Sequence, residues 1–477
     1  MPTSPKRFLH YHLFNLSVLV VGIACSKFLM SFGLMLGGLG FLLERDWKNY
    51  AQNLKSSTIF WLIFGFYLLH FIGMLWSENL EYGWNDIRVK SSLLTVSLIV
   101  LTRPISERNF KIISWVFVSA VVITSIINFC AYQFYYEELH IKDIREMSRF
   151  GSHIRFGMMV AFSPFLLAFT LDLKNKRWLF AFVLVTSWLI FYTFYSQVLS
   201  GVISLLSSVF ILVIIYFLNR KRYLVLSLSI LTFCIPLIVL FWYLSLPVVY
   251  NIPNELPHNE LSQAWSQVSS FDYNGKDRKE QELKSTLHRY LSSKNLSINA
   301  NGINQLNSYD IKNIEQGFAD YREVGIGLMP RLFGLRYQIH ATKNPNGHSL
   351  LERLEFWSTA WQIIKEQPIL GVGTGDVRIS FEKKYLENNS LLEEDNRWRA
   401  HNTYLTTWLT FGVLGLLYFL TMLWYFGRKQ LLQNQWIGLV FLAIFVSTFF
   451  LEDTLETQTG VTFFTLFFAL FGHEKTK

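Results

Sequence analysis

The chain has 477 residues, 51% hydrophobic and 17% aromatic, with a formal net charge of +9. Much of the apolar content lies in uninterrupted blocks, many approaching the roughly 20 residues that cross a hydrocarbon layer at about 1.5 Å rise per residue, which excludes an ordinary soluble globular protein. A transmembrane β-barrel is excluded as well, because its strands would alternate polar and apolar residues.

In chain order the apolar spans are read at residues 11–26, 28–43, 58–76, 90–102, 110–135, 156–173, 178–195, 199–218, 223–246, 402–426, 435–451 and 459–473. A segment in lipid must satisfy its own backbone polar groups, so each span is read as a helix. The expected fold is an all-α polytopic membrane protein of about 12 transmembrane helices with one large external loop. Helices 1 to 9 occupy residues 1–246, the loop 247–400, and helices 10 to 12 residues 401–477. The first block leads into more membrane sequence and shows no small-residue cleavage site, so it is expected to remain as an anchor. Cys25, Cys130 and Cys234 all fall inside apolar blocks, where cysteine is a small hydrophobe, and no disulfide framework or CxxC metal site is read.

Residues 13–43 form either one long tilted helix or two short ones, and charge decides between them. With two, one set of connections carries Arg45, Lys48 and Lys55, then Arg103, Arg108 and Lys111, then Lys174, Lys176 and Arg177, then Arg220, Lys221 and Arg222, then Arg428 and Lys429. The opposite set holds an uncharged turn near Tyr195 to Leu199 and an acidic one with Glu452, Asp453 and Glu456. The positive-inside rule places the basic set and both termini in the cytoplasm, and the 247–400 loop outside. It also accounts for the basic excess, so nucleic acid is not an expected partner; membrane lipids are.

Residues 247–345 are polar, and only the stretch around Arg278 to Leu296 is mildly helical. Over 348–366, Leu351, Leu354, Trp357, Ala360, Trp361 and Ile364 recur at helical spacing, which predicts an amphipathic helix lying on the membrane face. It stops at Gln367-Pro368 and runs into Gly371-Val372-Gly373-Thr374-Gly375-Asp376. A glycine-rich turn lets backbone amides approach a phosphate, but this one follows no parallel strand, so a Rossmann or P-loop reading is rejected.

His401 opens the span after the loop, in Arg397-Trp398-Arg399-Ala400-His401-Asn402-Thr403-Tyr404-Leu405. A neutral imidazole at the outer mouth of a membrane helix can accept a proton from a hydroxyl; the alternative is an interfacial histidine that caps the helix. Arg88 and Lys90, His153 and Arg155, and Arg353 also lie at external helix mouths or in the loop helix. Single cations there are commonly solvated anchors, but several together, none required by topology, suggest an anionic ligand such as a pyrophosphate. Glu452 and Glu456 at the last outer turn are read either as orienting His401 or binding acceptor hydroxyls, or as exposed acids without a role.

Two stretches resemble the O-antigen ligase superfamily, which also contains O-antigen polymerases and protein O-oligosaccharyltransferases. One is Arg353-x-x-x-Trp357 leading to Pro368-Ile-Leu-Gly-Val-Gly-Thr-Gly375; the other is His401-Asn402-x-Tyr404-Leu405 followed by Phe411-Gly-Val-Leu-Gly415. The resemblance implies a helical periplasmic loop over a cavity, in the bacterial inner membrane, and a metal-independent glycosyl transfer without cofactor. The donor would be a glycan on undecaprenyl pyrophosphate and the usual acceptor a lipid A-core sugar, or another glycan or a protein. His401 would be the general base and Arg353 would hold the pyrophosphate, with Asn402 and Tyr404 in the motif taken as substrate-binding. Many members carry an arginine at the position of Leu199, in Ser196-Gln-Val-Leu-Ser-Gly201; Arg155 is the expected substitute, with His153, Arg88 and Lys90 as further candidates. A transporter is disfavoured because the spans are mostly free of mid-membrane polar groups, and a scaffold would leave His401 replaceable.

Overall fold

A computed structural model describes residues 6–103, 105–135, 138–139, 143–325 and 327–473. Before the large loop come α1 Lys6–Cys25, α2 Lys27–Glu44, α3 Trp47–Ser56, α4 Thr58–Gly73, α5 Leu80–Leu101, α6 Glu107–Tyr135, α7 His153–Thr170, α8 Lys176–Tyr195, α9 Leu199–Asn219 and α10 Tyr223–Ser245. The loop contains α11 His258–Val268, α12 Leu283–Ser293, α13 Ala300–Asn304, α14 Ser308–Glu315, α15 Leu328–His340, α16 Ser349–Glu366 and α17 Val377–Glu387. The chain closes with α18 Thr403–Leu432, α19 Trp436–Thr448 and α20 Gln458–Gly472. Among the described residues the only β pairing is a single bridge between Lys276 and Glu282.

Each apolar span of the sequence falls on one of these helices, and among the described residues eight helices are long and apolar enough to cross a membrane. Small polar residues start many of them: Ser26, Ser57, Asn79, Asn402 and Thr457 each accept a hydrogen bond from a first-turn amide. Two departures from the sequence reading stand out. α5 begins at Leu80 rather than at residue 90, because Asp86, Arg88 and Lys90 interrupt the apolar pattern of its first turns. The short α3, between the first two apolar pairs, was not expected at all; its lysines hid an amphipathic helix.

α20 runs through the middle of the bundle with nearly every side chain buried. Its Phe463, Phe464, Phe467, Phe468 and Phe471 pack against Phe117, Phe162, Phe426, Phe441 and Phe445, in edge-to-face and offset arrangements that suit aromatic quadrupoles. α10, by contrast, has no buried residue and stands at the edge.

The two ends of the bundle differ. At one end Asn53 donates to the Thr102 carbonyl, Lys429 to the Gly472 carbonyl, and His473 meets the Arg103 carbonyl. At the other, the loop reaches three of the turns: Gln197 donates to the Gly325 carbonyl, Arg353 to the Leu451 carbonyl, and the Asp376 carboxylate accepts from the amides of Glu78 and Asn79.

The polar first part of the loop, which sequence periodicity left loosely specified, folds around its own core of Leu261, Trp265, Tyr273, Leu287, Tyr290, Leu291, Ile303 and Ile314. The helices that build this core, α11 to α14, are only 5 to 11 residues long, too short for a periodic signal. Local capping compensates, as at Asn307 and Asp310, whose side chains each accept the other's backbone amide.

α16 forms where its spacing predicted, but its buried face is Phe356, Thr359, Ala360, Ile363 and Ile364, with Leu354 and Trp361 exposed. It is rotated because it packs under α17 and the start of α18; the exposed Leu354, Trp361, Ile369 and Leu370 form an apolar rim instead.

The glycine-rich turn after α16 holds no free row of amides. α18 breaks at Gly412, whose φ is +66°, and the carbonyls orphaned there are taken up by the turn: Val372 N donates to Leu409 O and Gly373 N to Thr410 O. In return Val413 N donates to Pro368 O at 2.9 Å. Thr374 and Gly375 are fixed on α4 and the turn beyond it, through Gly73 O, His70 O and Ser77 Oγ. The two glycine-containing stretches are therefore complementary halves of one latch. A Cβ at Gly412 would fall 1.8 Å from the Ile369 carbonyl oxygen. Gly412→Ala is expected to abolish recovery of folded protein after detergent extraction; a variant that melts like the wild type would contradict the latch.

Candidate active site

The turn joining α19 to α20, residues 449–457, folds back over the start of α18. Thr403 N donates to Phe449 O at 2.8 Å and Thr403 Oγ1 to Glu452 O at 2.9 Å. The buried Asp453 carboxylate accepts from His401 N (3.0 Å), Asn402 N (3.1 Å) and Thr406 Oγ1 (2.7 Å). These bonds hold His401 at φ +46°, the left-handed region, which a non-glycine residue adopts only when its surroundings over-determine it.

Held in this way, the His401 ring stacks on Phe356 of α16, centroids 5.5 Å apart, and places Nδ1 3.2 Å from Glu452 Oε2. Two arginines meet the same carboxylate. Arg155, buried in the first turn of α7, has Nη2 3.3 Å from Oε1 and a second contact of 3.4 Å to the Asp453 carbonyl. Arg353 from α16 stands 3.7 Å from Oε2 and is anchored on the carbonyls of Leu451 and Ser349. Glu452 thus joins four elements: α7, α16, the start of α18 and the α19–α20 turn. The proposed substitute Arg155 and the proposed base His401 are brought together across one carboxyl group.

Burial of Glu452 would raise its pKa, but the His401 hydrogen bond and the Arg155 and Arg353 charges outweigh it and hold the carboxyl below its usual range. Its ion pairs are therefore intact above the ordinary carboxylate range and are lost only as the pH falls through that lowered value. An ionised Glu452 accepts Nδ1–H and leaves Nε2 of His401 as the lone-pair nitrogen, partly exposed. Asp453 is pushed the other way by full burial, with the nearby Arg399 opposing the rise.

The remaining cations take other places. Lys90 is 3% exposed and lies between Asp86 (2.5 Å) and Glu456 (2.8 Å), with Arg399 donating to the same Glu456 oxygen at 2.6 Å. His70 closes the chain 4.0 Å from Asp86, around a cavity of about 20 Å³ lined by Thr403, Thr406, Thr407 and Thr410. Lys90, a further candidate phosphate ligand in the sequence, is neutralised within the protein by Asp86 and Glu456. Without it two buried carboxylates would face each other. Lys90→Met is expected to cost about 3–5 kcal/mol, seen as a lower melting temperature in detergent; unchanged melting would return Lys90 to the list of ligands.

Arg88, two residues earlier, bonds Asn85 and lines a groove with Ser31, Leu34 and Met35 that does not include Glu452 or His401. Asn402 and Tyr404 are also committed internally: Asn402 caps α18 and donates to Phe450 O, and Tyr404 bonds Val446 O beside the Phe450 ring. Both position His401's helix rather than line an open surface. His153, first in α7, does approach the centre, within electrostatic reach of Glu452, Arg145 and Arg331. Arg145 and Arg331 were not singled out in the sequence, and Glu452, for which the sequence left open both a partner of His401 and an exposed acid without a role, is 5% exposed. The available signal was three acids within five residues, Glu452, Asp453 and Glu456, in an otherwise apolar end of the chain.

The sequence profile of the O-antigen ligase family matches residues 184–420. That span includes Arg331, Arg353, the glycine latch and His401, and ends before Glu452. No curated protein matches the chain.

Proposed function

The chain belongs to the O-antigen ligase superfamily, and on that premise we propose that it moves a glycan from undecaprenyl pyrophosphate to a sugar hydroxyl of lipid A-core. Members of the family are membrane glycosyltransferase-like enzymes. The observation that carries the reading is the convergence of His401, Arg353 and Arg155 on Glu452.

His401 Nε2 takes the proton of the acceptor hydroxyl; the freed oxygen attacks the anomeric carbon; the bond from that carbon to the pyrophosphate oxygen breaks, and undecaprenyl pyrophosphate leaves. Arg353 and Arg155 offset the charge that grows on the leaving group, and the fixed geometry supplies proximity. Glu452 fixes the imidazole tautomer and stabilises the imidazolium. In this reading all twelve apolar helices cross a bacterial inner membrane, the basic connections face the cytoplasm, and residues 247–400 lie over the site in the periplasm.

The test is transfer by purified protein from an undecaprenyl-pyrophosphate-linked glycan, offered lipid A-core, further donor, or a protein acceptor. Product on lipid A-core supports the ligase; chain growth on the donor would make it a polymerase, and product on protein alone an oligosaccharyltransferase. No transfer to any acceptor would overturn the reading.

A further inference from the structure

Arg331 enters the site from the first turn of α15, in the loop segment that touches the α8–α9 turn through Gln197 and Gly325. Its guanidinium meets Arg353 at Ser349: Arg331 Nη2 donates to the Ser349 hydroxyl at 2.8 Å, and Arg353 Nη1 to the Ser349 carbonyl at 2.9 Å. Arg331 Nε is buried and has no hydrogen-bond partner among the described residues. Arg145 stands beside it, bound in a two-pronged pair to Asp143 at 2.8 and 2.7 Å.

The guanidiniums around this point are unequally paired. Arg145, Arg155, Arg331 and Arg353 supply four of them, near the carboxylates of Asp143, Glu146, Glu352 and Glu452, and Arg331 makes no ion pair with any of these among the described residues. Asp143 is taken by Arg145 and Glu452 by Arg155, Arg353 and His401, while Glu352 accepts the Gly347 amide. Burial, and repulsion from Arg145 and Arg353, push the Arg331 guanidinium down to about 10. Such a group is stabilised by an added anion.

We propose that Arg331, supported by Arg145, is a second anion-binding arm of the site, which together with Arg353 grips the diphosphate of a lipid-linked donor. The inference rests on reading the site as diphosphate-binding. Two guanidiniums that converge on one residue from α15 and α16 bring two sets of donors to one place, which suits two linked phosphates better than one.

The experiment is binding of farnesyl diphosphate and of inorganic pyrophosphate to the purified full chain in detergent, for wild type, Arg331→Gln, Arg331→Lys and the distant surface control Arg378→Gln. Loss of a charged hydrogen bond of about 1.5–3 kcal/mol predicts at least about tenfold weaker binding in Arg331→Gln, with less loss in Arg331→Lys and none in Arg378→Gln. Tighter binding of farnesyl diphosphate than of inorganic pyrophosphate is expected of a lipid-linked ligand; the reverse would overturn the lipid assignment. Because Arg331 makes no ion pair among the described residues and its buried Nε is unpartnered, Arg331→Gln is expected to melt no lower than the wild type, whereas a lower melting point with unchanged binding would make it structural and sink the proposal. Wild-type binding that Arg331→Gln keeps in full overturns the proposal but leaves the functional reading standing; a wild type that binds neither diphosphate overturns both.

Discussion

Replacing His401 by asparagine is expected to lower glycan transfer by about 10²–10⁴-fold, the usual contribution of a positioned general base, while leaving the protein folded. Asparagine is the substitution to use because it tolerates the left-handed backbone that His401 adopts at φ +46°. The Asp453 bond is to the backbone amide and survives, and the side-chain amide can still donate to Glu452. What is lost is the nitrogen that takes up a proton. Initial transfer rates at saturating donor, set beside melting curves, check this; a rate within a few fold of the wild type would remove His401 from the chemistry.

Glu452→Gln is expected to reduce transfer by about 10²-fold or more, since a base left in the wrong tautomer or orientation is inactive. It is also expected to cost about 3–5 kcal/mol of stability, as breaking a buried ion pair does. The carboxylate serves Arg155 through Oε1, and His401 and Arg353 through Oε2. An amide has one oxygen for these two sides, so either Arg155 or the imidazole must face an NH₂ group. Glu452→Asp, which keeps both oxygens but is one methylene shorter, is expected to retain more stability than Glu452→Gln. If Glu452→Gln transferred and melted as the wild type does, Glu452 would be an incidental neighbour.

Much of the membrane fold was readable because an apolar block about 20 residues long has few alternatives to a helix. The readings that failed did so where charge or shortness masked the pattern. α5 lost its first ten residues to Asp86, Arg88 and Lys90, and the loop core built on Leu287, Tyr290 and Ile314 comes from helices too short to show a period. The latch between Gly371–Gly375 and Leu409–Val413 was invisible because its bonds join segments about forty residues apart.

At the site, motif resemblance brought out His401 and Arg353, and the habit of cations to gather at external helix mouths brought out Arg155. The same habit also pointed to Arg88 and Lys90. Two residues apart on a helix lie about 200° apart around its axis, so these two cannot share a target; the structure sends Arg88 to a separate groove and Lys90 to Asp86 and Glu456. Glu452 was undervalued because sequence does not report burial. Arg331 was missed because it lies in a segment without periodicity, 22 residues before Arg353, and only the fold brings both to Ser349.

The central claim is that His401 and Glu452 act as one unit, and the most direct test is the transfer rate of the double variant His401→Asn/Glu452→Gln against the two single variants. Residues that act together are not additive. The rate of the double variant is expected to match that of the slower single variant; losses that multiply would show that the two act independently and would contradict the account.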